Sequence, residues 1–301
     1  MKSAIIGMGE VGRTLFEALS IGGLYLTAAA DKNPSSRARE LCYEKEVALL
    51  TDAAACLPDA DLILSCVEGE TAALIASLVA QKGHAGQVLV DFSTASAGIK
   101  TEAAKTLAAH NIEYVDVAIM GAIALTGAKT GMIAAGVKPE SPSSKAMAQL
   151  QSAGMMIKII ADSQAGDAIS LKLLRSIFTK GMEALTTECL AAAEHLGVRQ
   201  SLYEVLTDVD QTPLPDFLEM LVCTHVVHAS RRKKEVGRAQ EQLQAIGLDS
   251  LMLPAVSAVF DRTEQLHDRE TTPVPPSSEA ALMILIKLIQ QTQQNKALSG
   301  R

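Results

Sequence analysis

Tryptophan is absent from this chain of 301 residues, and four tyrosines and five phenylalanines are its only other large aromatics. A carbohydrate-stacking platform, which needs exposed aromatic faces, is therefore not expected. Nor does any window offer the roughly twenty consecutive apolar residues of a membrane-spanning helix, although 48% of the residues are apolar. The N-terminus lacks the order of a signal peptide, because Gly7 and Glu10 interrupt its apolar stretch. Basic charge is scarce too: 27 Lys and Arg against 34 Asp and Glu leave a net charge of -7. That argues against a nucleic-acid partner, whose phosphates demand a basic surface. The five cysteines (Cys42, Cys56, Cys66, Cys189, Cys223) are odd in number, scattered and without C-x-x-C spacing. They read as buried thiols of a cytoplasmic protein rather than as disulfides or zinc ligands. No internal repeat or low-complexity tract is visible, only a polar tail after Gln290 that is expected to fray.

What is present begins at the first residues. Met1-Lys2-Ser3-Ala4-Ile5-Ile6 is a short apolar strand, and it runs into Gly7-Met8-Gly9-Glu10-Val11-Gly12, a G-x-G-x-x-G turn opening a helix. Gly7 suits the tight turn, Gly9 admits a pyrophosphate, and Gly12 lets the helix pack closely on the sheet. A second apolar run, 24–30, ends at Asp31, where such folds place a carboxylate for the ribose hydroxyls. The constellation predicts a dinucleotide site. Asp31 favours the free 2′-hydroxyl of NAD; Lys32, Asn33, Ser35 and Arg37 offer partners for the extra phosphate of NADP. NAD is the expected cofactor and NADP the alternative.

The length allows one large or two medium domains. Candidate strands at 2–6, 25–30, 61–66, 87–91, 113–117, 131–136 and 155–160 alternate with helical stretches such as 11–20, 35–45, 70–81 and 98–109. This rhythm predicts an α/β fold, a doubly wound parallel sheet, with the strands after Asp116 added as an antiparallel extension. From Ser163 to about Leu196 one helical pattern runs unbroken, a spine expected to join the sheet domain (1–162) to an all-helical domain (163–301). Later helices are expected at 201–208, 214–228, 230–246, 252–267 and 278–294, broken at Gly247 and Pro273-Val274-Pro275-Pro276. Ser277 or Ser278 would cap the last.

Three further clusters carry chemistry. Asp91-Phe92-Ser93-Thr94 closes a strand, where hydroxyls face the ligand crevice, although the same residues could simply cap the following helix. Met120-Gly121-Ala122, with Gly127 and Gly131 beyond, suggests a loop where backbone comes close to a ligand. On the spine, Lys172, Arg175 and Ser176 are spaced three and four apart and share one face, a place for an anionic substrate.

In this order the four clusters resemble the β-hydroxyacid dehydrogenase superfamily, the group of 3-hydroxyisobutyrate and 6-phosphogluconate dehydrogenases, over nearly the whole chain. The resemblance implies a Rossmann domain that holds NAD or NADP at residues Gly7, Met8, Gly9, Glu10, Val11 and Gly12. Asp31, Lys32, Cys66, Val67 and Ser93 complete that implied cofactor site. It also implies substrate contacts from Ser93, Thr94, Met120, Gly121, Ala122, Arg175 and Ser176, a catalytic Lys172 and no metal. The segment 228–235, with Gly247 after it, resembles the C-terminal domain of phosphogluconate-dehydrogenase-like proteins. Departures are visible: Ser176 stands where the family has asparagine, Met120 for serine and Ala122 for glycine. Arg175 and Thr179 replace the histidine and glutamate of the decarboxylating sugar-acid enzymes. The substrate is thereby left open among 3-hydroxy acids, with or without loss of carbon dioxide.

Hydride removal from an alcohol requires a base for the hydroxyl proton. A lysine in a closed cleft beside Arg175 and a cationic nicotinamide has its pKa lowered toward working pH. Lys172 is thus expected to be general base in oxidation and general acid in reduction. Imine reduction on the same fold, or a non-catalytic dinucleotide-binding sensor, are the rival functions. Arg231-Arg232-Lys233-Lys234 reads as a solvated helix face before it reads as a phosphate patch. His225 and His228 lack a third ligand, and His195 reads as a C-cap partner. A homodimer is expected from the helical half.

Overall fold

The computed structural model describes residues 1–266, 275 and 277–299. The chain divides into two compact units, Met1–Ile177 and Phe178–Arg301. The first unit holds an eight-stranded sheet. Its elements are β1 (Ser3–Ile6), α1 (Glu10–Ile21), β2 (Leu26–Ala30), α2 (Ser36–Glu44), β3 (Ala48–Leu50), β4 (Leu62–Ser65), α3 (Ala72–Lys82), β5 (Val88–Asp91) and α4 (Ala97–Ala108). They continue with β6 (Glu113–Ile119), α5 (Ile123–Thr126), β7 (Met132–Ala135), α6 (Pro142–Ser152), β8 (Ile157–Ile159) and the start of α7 (Asp167–His195). The second unit continues α7 and adds α8 (Arg199–Val205), α9 (Thr207–Gln211), α10 (Leu214–Ala245), α11 (Met252–Leu266) and α12 (Ser278–Ser299).

The strand order is β3-β2-β1-β4-β5-β6-β7-β8. Every neighbouring pair is parallel except β6–β7. Successive residues of a strand point to opposite faces, so β1 feeds both layers of the core. Ile5 packs among Phe16, Leu19, Leu41 and Met147, whereas Ile6 packs among Ile63, Val79, Leu89 and Leu107. A sheet buried on both faces explains the continuous apolar runs that mark its strands in sequence. Because β1, β4, β5 and β6 run the same way, their carboxyl ends form one edge. Gly7–Gly12, Cys66–Val67, Ser93–Thr94 and Met120–Ala122 all follow those ends. The order reverses between β1 and β4, which is where open α/β sheets bind ligands.

The differences from the sequence expectations have local causes. β3 was not expected; three residues after the left-handed Glu46 (φ 54°) are enough to add an edge strand beside β2. The antiparallel extension is confined to the β6–β7 pairing, since β8 runs parallel to β7. After Ala122 the chain forms α5 and a short 3-10 turn where a loop was expected. The helix expected at 201–208 is two short ones, parted at Leu206. The two helices expected at 214–228 and 230–246 are the single α10. Ser230 does not cap a new helix, because its hydroxyl donates to Glu264, and the buried stripe of Val226 and Ala229 passes through the supposed break. The last helix extends to Ser299 instead of ending near 294, and Ser277 accepts the Ala280 N–H at its start. Of the expected proline break, 273, 274 and 276 lie outside the described residues.

Candidate active site

The glycine turn is built for close approach. Gly7 has φ +92°, and a Cβ there would lie 2.7 Å from the Cys66 carbonyl oxygen. A Cβ on Gly12 would lie 1.8 Å from the Gly7 carbonyl oxygen, so α1 packs on the turn only because that residue has no side chain. Gly9 is different: a Cβ there meets nothing within 4 Å. No packing within the chain demands glycine at that position, so the space above it is open to a ligand. The first-turn amides of α1 have no acceptor within the helix and carry its positive dipole end. Met8 is buried and Glu10 exposed, so both belong to the turn through their backbone.

Beside the turn lies a cavity of about 810 Å³, lined among others by Gly7, Gly9, Asp31, Lys32, Cys66 and Val67. Asp31 accepts the Met8 N–H at 2.7 Å through Oδ2 and the Asn33 N–H at 2.8 Å through Oδ1. The carboxylate therefore locks the turn to the end of β2 while it borders the cavity. Asp52 and Glu68 add two more acids to that wall, against the single cation Lys32. Of the other candidate phosphate partners, Arg37 pairs with Glu40 and Glu44, and Ser35 accepts the Ala38 N–H to cap α2. Burial, and then the Asp91 charge, push the Cys66 thiol up, so it lines the cavity as a neutral group. A cradle open above Gly9, an anion-accepting helix end and an adjoining cavity together fit a dinucleotide.

The second feature is a buried network that joins β5, β6 and α4 to the first turn of α7. Asp91 and Asp116 are paired across β5 and β6, so two carboxylates stand side by side in the sheet. Like charges so placed repel. Lys100, from α4 and wholly buried, offsets them: its Nζ donates to Asp116 Oδ1 at 2.7 Å and lies 3.5 Å from Asp91 Oδ2. The other oxygen of Asp116 accepts the Gly166 and Ile169 N–H groups at 3.1 and 3.0 Å, holding the first turn of α7. Asp91 accepts the Ser93 hydroxyl at 2.9 Å and the Tyr114 hydroxyl at 2.6 Å. Burial, and next the Asp91 charge, raise the Tyr114 pKa, so the phenol stays a donor.

Ser93 is buried, and its hydroxyl also accepts the Ala95 N–H at 3.3 Å. Thr94 beside it is exposed. Neither caps α4, because Ser96 takes that place by accepting the Ile99 N–H. Asp91–Thr94 is therefore not the cap of α4. One turn beyond Ile169, Lys172 is half-buried. Burial lowers its pKa first, and the charge of Lys100 lowers it further. Arg175 and Ser176 follow on the same face of α7, both exposed.

Residues 2–161 match the family model described as the NAD binding domain of 6-phosphogluconate dehydrogenase. The chain belongs to this family. Residues 193–263 match a second model, described as a domain of unknown function (DUF1932). A solved conserved protein of unknown function, with structural similarity to 3-hydroxyacid dehydrogenases, is 25% identical at a TM-score of 0.61. That match covers 88% of this chain and 97% of the other. The 3-hydroxyisobutyrate dehydrogenase of Mycobacterium tuberculosis, solved with L-serine, shares the fold at 18% identity and a TM-score of 0.59, over 88% and 94% of the two chains. An imine reductase variant from Myxococcus stipitatus, in complex with NAD+, shares it at 16% identity and a TM-score of 0.73, over 96% and 99%. The protein is thus a member of an NAD(P)-binding oxidoreductase fold family.

Within this family member the remaining sequence candidates separate. Met120, half-buried, donates its N–H to the Gly131 carbonyl at 2.9 Å; Gly121 and Ala122 are exposed at the same sheet edge. The basic run is largely tied down: Lys233 pairs with Asp261 and Glu264, Arg231 with Glu235, and Arg232 donates to Thr224. His225 bonds Thr263 at 2.8 Å and stacks on Phe260, whereas His228 is exposed. Sequence reading missed Lys100 and Tyr114. The signal for Lys100 was available: Lys100, Ala103 and Leu107 form the buried stripe of α4, and a lysine on such a stripe calls for a partner.

Proposed function

We propose that the protein is an oxidoreductase that transfers a hydride between NAD and a 3-hydroxy acid, with Lys172 as its acid–base group. The observation that carries the reading is the placement of Lys172. It is half-buried on a helix whose first turn is hydrogen-bonded to Asp116, in the same network that holds the Ser93–Thr94 loop. In this reading residues 1–162 bind the dinucleotide and 163–301 supply the catalytic lysine and the association surface. Backbone amides of Gly9, Glu10, Val11 and Gly12 would hold the pyrophosphate, with Asp31 at the ribose and Lys32, Cys66 and Val67 along the cavity wall. The nicotinamide, when bound, accepts or returns the hydride.

Neutral Lys172 takes the substrate hydroxyl proton in oxidation; its ammonium returns that proton in reduction. Arg175 and Ser176, sharing the Lys172 face, receive the substrate carboxylate. Thr94, Gly121 and Ala122 border the substrate at the sheet edge with Met120, while Ser93 acts from beneath by fixing the loop through Asp91. If the product is a β-keto acid, protonation by Lys172 would also assist loss of carbon dioxide. Oxidation of a panel of 3-hydroxy acids, followed by nicotinamide absorbance, tests the function. Turnover confined to imines would transfer the site to imine reduction, and dinucleotide binding without any turnover would make it a sensor.

The acidic wall of the cavity supports NAD over NADP. Asp31→Asn, which keeps one acceptor for the Met8 N–H and removes the charge, should shift the ratio of kcat/KM values toward NADP by about tenfold, equivalent to about 1.4 kcal/mol. An unchanged ratio would remove Asp31 from cofactor choice. We also read the protein as a homodimer in the cytoplasm. In the second unit Met182, Leu185, Met283 and Ile286 are exposed, and association with a second copy would cover apolar surface of this kind. Equilibrium sedimentation should give twice the 31.7 kDa chain mass; the single-chain mass would refute association. Among the described residues no helix is long and apolar enough to cross a membrane.

A further inference from the structure

Lys100 has no part in the cofactor and substrate roles proposed above, yet it is wholly buried and sits at the junction of three elements. A lone buried ammonium is costly, and it persists only where partners surround it. Here the partners are the two carboxylates and the Asp91 backbone oxygen, which accepts from Nζ at 3.3 Å. Asp116 passes the restraint to α7 through Gly166 and Ile169, and Asp91 passes it to Ser93. A Cβ on Gly166 would meet Thr101 of α4 at 2.9 Å, so α7 starts hard against the helix that carries Lys100.

We propose that Lys100 is a positioning residue that acts through Lys172: its ammonium, through Asp116, fixes the first turn of α7 against the Ser93–Thr94 loop and places a buried positive charge behind the turn that precedes Lys172. The inference deepens the reading of Lys172 as acid–base group and rests on it only for its catalytic consequence. The charged and titratable groups around these turns are Lys100 on α4, Asp91 on β5, Tyr114 and Asp116 on β6, and Asp167, Lys172 and Arg175 on α7. Among them Lys100 is the group whose charge acts on Lys172 in the direction of the neutral amine.

The test reads Lys172 without turnover. The full chain is acetylated with acetic anhydride across a pH series, and mass spectrometry of the Lys172 peptide, referenced to exposed Lys45, gives its titration midpoint. Lys100→Gln keeps a donor near Asp116 but removes the charge, so the midpoint should rise, by on the order of half a pH unit or more. Asp116→Asn keeps an acceptor for the α7 amides and leaves Lys100 less compensated, so the midpoint should fall. Opposite signs support the inference. A merely structural role loosens the site in both variants and moves both midpoints up, or moves neither; either result overturns it. Should Lys100→Gln fail to fold, the sign in Asp116→Asn decides; should Asp116→Asn fail, Asp91→Asn, which also leaves Lys100 less compensated, replaces it, with a fall expected and a rise overturning the inference. Loss of turnover in Lys172→Ala tests the underlying function separately, since acetylation requires none.

Discussion

Lys172→Ala should lower turnover of the best 3-hydroxy acid by about two to four orders of magnitude, the usual contribution of a positioned acid–base group. Dinucleotide affinity should stay within about twofold, because Lys172 lies outside the turn and cavity that would hold the cofactor; a twofold change is a small fraction of the 1.4 kcal/mol that a tenfold change represents. The pH profile gives the same claim a sign. Burial first, and Lys100 second, lower the Lys172 pKa, so the neutral amine forms below the ordinary lysine range. Oxidation, which needs the amine, should rise with pH through that lowered value. Reduction, which needs the ammonium, should fall through it. Stability follows by linkage. Between the folded and unfolded pKa values the unfolded chain binds more protons, so stability rises with pH across that window. Below the folded value the cost of the buried ammonium is present in full, and Lys172→Met should relieve it. A profile unchanged by the substitution would remove Lys172 from the chemistry.

Alanine at Gly12 and at Gly9 should fail in different ways. At Gly12 the new Cβ would stand 1.8 Å from a backbone oxygen, which no side-chain rearrangement can relieve. The cost should be about 3 kcal/mol or more, the upper end for overpacking, and a lowered unfolding midpoint in urea would show it. At Gly9 the Cβ enters open space, so the chain should fold as before, with stability within about 0.5 kcal/mol. Its effect should fall on the ligand instead, weakening dinucleotide binding by at least about tenfold. If Gly9→Ala bound NAD as tightly as the parent protein, the open space would not be a pyrophosphate seat.

The dinucleotide half was legible in sequence because its signals are local. A strand, three glycines and a spaced acid lie within 31 residues; Gly7 and Gly12 answer constraints of the local backbone, and Gly9 leaves the space above the turn open. The spine helix was legible because one apolar period runs through it. The second half of the site was not, since it depends on pairs distant in sequence. Asp91 and Asp116 become neighbours only through β5–β6 pairing, and Lys100 reaches both only after α4 packs on the sheet. The cluster at 91–94 was visible, but its division of labour was not. Ser93 turns inward to Asp91 and Thr94 outward, while Ser96 does the capping that the sequence offered to the 91–94 residues as their alternative role. The break predicted inside α10 failed for a related reason: the buried stripe of Val226 and Ala229 runs through it, and the Ser230 hydroxyl bonds Glu264 on the neighbouring helix.

The most direct measurement of the central claim follows the hydride itself. The protein is incubated with NAD and a panel of 3-hydroxy acids deuterated at the carbinol carbon, and the reduced dinucleotide is examined by mass spectrometry. The account predicts deuterium on the dinucleotide from at least one acid, and its loss in Lys172→Ala at unchanged NAD binding. Bound NAD with no deuterium from any acid, or transfer that persists without Lys172, would contradict it.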